Sequence, residues 1–340
     1  MYNIFKDKYF KEYYSNGFVE TDTVLSHDLV DEIRAHYQAK AEGHNDFPKF
    51  FVNNEHQIYL EGEESGRAFS KLPKSVAHQK IRELYDTSYS KAVYCEQVFM
   101  ERVMTELLEK DFLRFFKTPY LIVSYDIYLT NDCNRPGAGI HTDPPNFHHF
   151  YETENDVTIY IPLVDLNDKN GGRISVLPES KLKLSGNVLL KMMEEAFGGE
   201  QQWLDENGYI DPDKIDDKAL SDFIKSRPYQ RLIEHQRNVI SMARQYYTDE
   251  FTYINESKGR VLLWNNKNFH AAEAWKEKSF NREVYIIRCM PIYNTKIKLK
   301  NKLHGKLFNN LLVHVKTGTL EKFDREVDVS QIPEMDKVAI

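Results

Sequence analysis

The sequence predicts an α+β protein in which a barrel-like sandwich of strands packs under amino-terminal helices. Three observations predict it. Apolar residues recur at helical spacing through much of residues 1–117. Runs of strand-like alternation follow over 118–184 and 257–293, and between those blocks, over 185–256, the pattern turns mostly helical. With 41% hydrophobic and 13% aromatic residues, the 340-residue chain can bury a large core. We read it as a single elaborated domain, 1–340, with an extension from 294 onward.

Taken in order, Tyr9 to Phe18 is a short aromatic, helix-like stretch that ends at Gly17. Ser26 is placed to cap a second helix whose Leu29, Val30, Ile33 and Tyr37 fall on one face. From Gly43 to Lys74 the pattern dissolves into a long loop. Helical spacing resumes over Ser75 to Tyr94 and again over Gln97 to Phe116, where Val103, Met104, Leu107, Leu108, Phe112 and Phe115 form a stripe to pack on a sheet.

The sheet begins at PYLIVSYDIYLT. Its odd positions, Leu121 to Leu129, are apolar or aromatic, and its even ones include Ser124, Asp126, Tyr128 and Thr130. Parity therefore puts the odd positions under the helices and makes Asp126 and Tyr128 candidates for lining a cavity. In VTIYIPLV, Thr158 and Tyr160 share the face opposite Val157, Ile159 and Ile161, and Asn170-Gly171-Gly172 then makes a tight turn. The 185–256 insertion separates two barrel strands, so it is expected to fold over the cavity mouth as a lid, unless it covers a sheet edge or a subunit contact. After Pro291 a basic stretch, KIKLKNKLHGK, precedes an acidic end, read as an outer helix and tail.

A net charge of −7 and a pI near 6.0 argue against nucleic acid as a partner. No apolar run approaches membrane-spanning length, and MYNIFKDKYF lacks the apolar centre of a secretory signal. Cys95, Cys133 and Cys289 have no metal-like spacing and read as reduced thiols in a cytoplasmic setting. Nothing in the sequence points to an oligomeric state.

The chemistry centres on His141-Thr142-Asp143. Residues two apart on a strand project to one face, so an imidazole and a carboxylate can reach one cation. With 12 histidines and 52 acidic residues such a pair is commonplace, and His44-Asn45-Asp46 is a second one in a polar, strandless segment. What distinguishes the first pair is its surroundings. Pro144-Pro145 halts the strand behind Asp143, His270 closes a strand-like run 127 residues beyond Asp143, and Arg282, 12 further on, opens another. Two histidines and one carboxylate on one side of a metal leave the opposite positions open, as non-haem iron(II) requires. Asn146, Phe147, His148 and His149 follow closely and are candidates for substrate contacts or a rim.

The segments KEYYSNGFVETDTVLSHDLVDEIRAH, HTDPPN, VTIYIPLVDLNDKNGGRISVLPESKL, GRVLLWNNKNFHAAEAW and NREVYIIRCMPIY together resemble the iron(II)- and 2-oxoglutarate-dependent dioxygenases, within them the phytanoyl-CoA dioxygenase-like group. The resemblance spans residues 9–41, 118–184 and 256–293. It departs at Pro178-Glu179-Ser180-Lys181, where the family usually has Pro-Gly-Ser-His; that histidine is not a metal ligand, so the departure bears on the subgroup. The resemblance implies a double-stranded β-helix, or cupin-like jelly roll. It further implies Fe(II) on His141, Asp143 and His270, with 2-oxoglutarate and O2 in the open positions.

It also implies an arginine for the far carboxylate of 2-oxoglutarate. A guanidinium fork suits that task. Arg282 fits by its distance past His270, with Arg288 on the same strand face in reserve. The strand before His-x-Asp then offers Tyr128, and after it Ser124, to hold the oxo-acid, and by parity either Thr158 or Tyr160, Thr158 first, could hydrogen-bond it. Related halogenases usually lack the carboxylate ligand that Asp143 supplies here, so hydroxylation leads, ahead of desaturation or oxidative cyclisation. Asp126, Arg135 and Asn146 favour a small polar substrate, such as an amino acid or a natural-product precursor, over a fatty acyl thioester. Two rival classes stay open: a non-oxidative cupin-like metalloprotein, and an oxygenase acting on peptides.

Overall fold

The structure, a computed structural model, describes residues 4–43, 50–52, 58–60, 97–131, 139–143, 157–181, 222–223, 225–274, 276–277, 280–292 and 311–322, with 188, 192 and 218. The elements run α1 (Ile4–Asn16), β1 (Phe18–Val24), α2 (His27–Gly43), β2 (Phe50–Val52), β3 (Ile58–Leu60), α3 (Gln97–Glu109), a 3₁₀ turn (Leu113–Phe116), β4 (Tyr120–Asn131), β5 (Val157–Pro162), β6 (Ile174–Val176), α4 (Arg227–Tyr246), β7 (Thr252–Tyr253), β8 (Arg260–Asn265), β9 (His270–Ala272), β10 (Arg282–Ile292), β11 (Leu311–His314) and β12 (Thr319–Lys322). A seven-stranded sheet has the order β1-β8-β5-β10-β4-β11-β12, and a three-stranded sheet the order β7-β6-β9. This is the mixed architecture of helices and antiparallel sheet that the sequence implies.

Alternation along β5 and β10 sorts side chains to two destinations. Val157, Ile159, Ile161, Tyr285, Ile287 and Cys289 join the helix-side core with Leu29, Val30, Ile33 and Tyr37 of α2 and Val103, Met104 and Leu107 of α3. Tyr160, Val284 and Ile286 face the other way and meet Ile174 and Val176 of the small sheet, with Trp264 and Leu262 of β8 between. A second interior thus lies between the two sheets.

The structure corrects several expectations. The carboxy-terminal extension contributes a hairpin, β11-β12, to the edge of the large sheet beside β4, where a helix and tail were expected. In the segment read as a long loop, β2 and β3 pair as a hairpin. Strand β1 lies within the block read as helical, and β7 lies within the block read as insertion. The Ser26 hydroxyl donates to Glu106 Oε2 of α3 at 2.8 Å, joining two helices, while its carbonyl accepts the first helical bond from the Val30 N–H. The helix expected over Ser75 to Tyr94 lies outside the described residues.

Within the insertion, the described part is mainly a long helix. This helix, α4, begins at Ser226, whose hydroxyl accepts from the Tyr229 N–H, with proline in the first turn. Its buried Leu232 and Val239 pack with Phe223, Leu177 and Phe269, and with the partly buried Ile140. Ile140 and Phe269 are the chain neighbours of His141 and His270, on the opposite face of the small sheet. The helix thus buttresses that sheet from behind. Among the described residues, no helix is long and apolar enough to cross a membrane.

Candidate active site

His141 and His270 approach through the backbone first. The His141 N–H donates to the His270 carbonyl at 3.0 Å, and the His270 N–H donates back at 2.8 Å, an isolated antiparallel bridge alongside β9. Their rings consequently lie 4.3 Å apart, centroid to centroid. Asp143, two residues beyond His141, brings Oδ1 to 3.7 Å from His270 Nε2. One ligand atom from each of the three side chains lies within 4.8 Å of the other two.

The surroundings select the atoms that face a metal. His141 Nδ1 is 2.6 Å from the Gly139 carbonyl and His270 Nδ1 is 3.0 Å from the Asn268 carbonyl. Each Nδ1–H donates to a backbone oxygen, which leaves both Nε2 atoms as free lone pairs. Burial first, and then the neighbouring His141, push His270 down to about 4, so it is neutral at ordinary pH. Burial alone would raise the Asp143 carboxyl. The Arg288 guanidinium and then the two imidazoles overcome that and hold it well below the usual carboxylate range.

The second oxygen of Asp143 is fully engaged. Oδ2 accepts from Trp264 Nε1 at 3.0 Å and from the Arg288 guanidinium, which also contacts Thr158 and Asn266 Oδ1, the last at 3.1 Å, while Thr158 Oγ1 lies 3.3 Å away. Thr158 donates to Asn266 at 2.6 Å. Sequence reasoning preferred Thr158 to Tyr160 for the oxo-acid and held Arg288 in reserve for its far carboxylate. The structure puts both beside Asp143, at the metal end of the interior.

Arg282 is 6% exposed and lies deeper, its guanidinium carbon 5.7 Å from the Tyr160 ring centroid. Tyr160 packs on Trp264 at 4.9 Å, and Trp264 on His270 at 5.3 Å. One aromatic column therefore links the inner arginine to the metal ligands. The Arg282 Nε and the Tyr160 hydroxyl are buried polar atoms without a hydrogen-bond partner of good geometry. Such atoms are costly unless something satisfies them, and the buried Glu256 carboxylate already acts on both groups.

Tyr128 is on the wrong face for the role expected of it. Its hydroxyl donates to Glu283 Oε2 at 2.9 Å on the helix side, where Arg34 and Gln38 also hold Glu283, and its ring stacks on Tyr37 at 5.3 Å. The cause is a β-bulge. Against β10, the register of β4 steps from Tyr125 opposite Arg288 to Val123 opposite Cys289, leaving Ser124 unmatched. One extra residue inverts the parity beyond it, so Leu121, Val123 and Tyr128 share the helix-side core while Leu129 packs on the interior. The side chain of Asp126, and Asn146, Phe147, His148 and His149 entirely, lie outside the described residues.

Sequence reasoning missed Trp264, Asn266 and Glu256. Parity through GRVLLWNN puts Trp264 and Asn266 on one face and could have found them. Glu256 precedes the strand and carries no such signal. Gly17 was read only as a helix end. Its φ of +74° suits glycine, and a Cβ there would come within 2.1 Å of Asn268 Oδ1. Asn268 in turn donates Nδ2–H to the Asn16 carbonyl at 2.9 Å. The end of α1 is thus keyed into the residue whose carbonyl orients His270.

Two imidazoles and one carboxylate converging inside a strand sandwich, with coordination positions left over, define a class: the mononuclear non-haem metal enzymes. The chain belongs to the phytanoyl-CoA dioxygenase (PhyH) family, whose profile matches residues 13–282. It is an oxygenase whose cofactors are iron and 2-oxoglutarate. Comparison with curated protein sequences returns no match.

Similar solved structures include the non-haem α-ketoglutarate-dependent carbocyclase SnoK from nogalamycin biosynthesis, at 15% identity and a TM-score of 0.45 over 88% of each chain. The epimerase SnoN in complex with Fe3+, α-ketoglutarate and nogalamycin RO stands at 13% and 0.42, covering 87% of this chain and 86% of that one. HygX from Streptomyces hygroscopicus, with nickel and 2-oxoglutarate bound, stands at 11% and 0.41, covering 84% and 87%. Likeness at this level carries no weight for the chemistry of this chain, which rests on the family and on its own residues.

Proposed function

We propose that this chain hydroxylates an unactivated C–H bond of a small polar metabolite, such as an amino acid or a natural-product precursor. The observation that carries the reading is the convergence of His141, Asp143 and His270 at one end of an interior whose other end holds the buried Arg282. In this reading the two sheets are halves of a double-stranded β-helix within one domain. The amino-terminal helices pack on its large sheet and α4 supports its small one.

His141, Asp143 and His270 would hold iron(II), and Arg282 with Tyr160 would receive the far carboxylate of 2-oxoglutarate. When bound, the pair supplies dioxygen activation, coupling decarboxylation of the oxo-acid to succinate with oxidation of the substrate. The protein's part is positional. The Gly139 and Asn268 carbonyls fix both imidazoles. Trp264 and Arg288 fix Asp143. Apolar residues such as Phe18, Val284 and Ile286 keep water from the interior. Asp143 fills the position a halide would need, which favours hydroxylation. Asp126, Asn146, Phe147 and His148 are the substrate-side candidates, in a cytoplasmic setting.

Anaerobic addition of iron(II) and then 2-oxoglutarate tests the reading. A weak visible charge-transfer band is expected in the wild type and not in His270→Ala. Its absence from folded, metal-loaded protein would favour a non-oxidative metalloprotein. Succinate release stimulated by members of an amino-acid panel, with a hydroxylated product by mass spectrometry, supports the substrate class. Stimulation by peptides alone overturns it, and loss of two hydrogens without gain of oxygen replaces hydroxylation by desaturation or cyclisation.

A further inference from the structure

Arg282 does not stand alone at the inner end. Glu256, 1% exposed, lies on the isolated bridge to Leu166, and its Oε1 accepts from the Ile174 N–H at 2.5 Å. Its other oxygen, Oε2, is buried without a hydrogen-bond partner of good geometry, as are the Tyr160 hydroxyl and Arg282 Nε. The Glu256 carboxylate acts electrostatically on both Arg282 and Tyr160, and the Tyr160 hydroxyl is near enough to interact with each of them through a hydrogen bond. Three buried polar groups, one cation and one carboxylate among them, thus cluster where an incoming dicarboxylate must place its far end.

Resting on the cosubstrate reading above, we propose that Glu256 is a proton-accepting counter-carboxylate that shares Arg282 with 2-oxoglutarate, so that binding of the oxo-acid draws one proton onto Glu256. One guanidinium cannot neutralise two buried carboxylates, and an unpaired buried charge is far more costly than a protonated acid. The protonated form suits the geometry as well. It keeps the acceptor for Ile174 and turns Oε2 into a donor.

The balance is simple. Ionised Glu256, a proton from solvent and the dianionic oxo-acid become neutral Glu256 beside the bound dianion, with no bond to carbon made or broken. Burial already pushes Glu256 up to about 7 against the opposing pull of Arg282. The other groups acting on it are the Ile174 N–H from β6, Tyr160 from β5 and, weakly, Glu20 from β1, whose own charge is opposed by Arg260. A further negative charge on Arg282 raises Glu256 again. Below the first value the site is already protonated and takes up nothing. Above it, each bound oxo-acid must bring a proton.

The test is calorimetric titration of anaerobic iron(II) protein with 2-oxoglutarate, in pairs of buffers with different protonation enthalpies, with the charge-transfer band as an independent measure of occupancy. Wild type should take up close to one proton at about pH 8 and almost none at about pH 6, with affinity falling roughly tenfold per pH unit above about 7. Glu256→Gln keeps the acceptor for Ile174 but cannot titrate. It should bind without proton uptake and with affinity flat across the range, while Glu20→Gln should behave as wild type. Binding by wild type without proton uptake at either pH, or uptake that persists in Glu256→Gln, overturns the proposal and leaves the cosubstrate reading intact. Failure of wild type to bind 2-oxoglutarate at any pH overturns both. Should the glutamine variant not fold, the wild-type proton count at the two pH values still decides.

Discussion

The Arg288 guanidinium is bonded to Asp143, 145 residues earlier in the chain, with both side chains buried. It engages Oδ2 and so leaves Oδ1 turned toward His270. Two effects oppose each other at this pair. The cation repels an incoming metal ion, yet it keeps a buried carboxylate ionised and aimed. Burial is the largest single influence on Asp143, so the second effect should win. Arg288→Gln is expected to weaken metal binding by roughly 10- to 100-fold, more at acid pH, where the unsupported carboxyl protonates. Metal titrations followed by calorimetry at two pH values would show it, and affinity that rises in the variant would mean that repulsion dominates.

Gly17 should resist substitution for a reason beyond its backbone angle. Gly318 also has a positive φ, of +73°, but a Cβ there would meet nothing within 4 Å, whereas at Gly17 it would overlap Asn268. Gly318→Ala is expected to cost about 1 kcal/mol from backbone strain alone. Gly17→Ala should cost more and should also loosen metal binding several-fold, because Asn268 orients His270. Equal effects on stability and on metal affinity in the two variants would argue against this coupling.

Leu232 discriminates between a buttress and a lid. It is 5% exposed and packs α4 onto the back of the small sheet. Leu232→Ala is expected to lower global stability by about 3 kcal/mol, the usual cost of such a cavity, in chemical denaturation followed by circular dichroism. A movable lid would lose little global stability and change substrate KM instead.

Glu256 should also leave a mark on the metal-free protein. Its folded value of about 7 is above the ordinary 4.5. Between those values the native state therefore holds a proton that the unfolded chain has released. Its contribution is complete below about 4.5, declines as pH rises through the window and levels off above about 7. The decline amounts to about 3 kcal/mol, an order-of-magnitude figure. Glu256→Gln lacks it, so the difference in stability between variant and wild type should shift in the variant's favour by that amount from about pH 4 to pH 8. Denaturant midpoints across this range check it, and parallel curves would mean that Glu256 does not titrate there.

How much was legible depended on local pattern. In β5 strict alternation sorted Thr158 and Tyr160 from Val157, Ile159 and Ile161, and the structure follows it. In β4 the same rule failed at Tyr128, because the unmatched Ser124 reverses parity and leaves no trace in the alternation of residue types. The position of α4 was likewise unreadable. Its apolar stripe announces a buried face but does not say which surface covers it.

The sequence by itself determined the ligand types, the strands that carry them and the arginine that follows, since these are statements about residue chemistry and short-range period. Only the tertiary structure decided that His141 and His270 meet through one backbone bridge, that Arg288 bonds Asp143, and that Glu256 lies with Arg282 and Tyr160. Those relationships join residues from 26 to 145 positions apart. Contacts at such separations are set by strand pairing and register across the whole sandwich, which no local stretch of chain encodes.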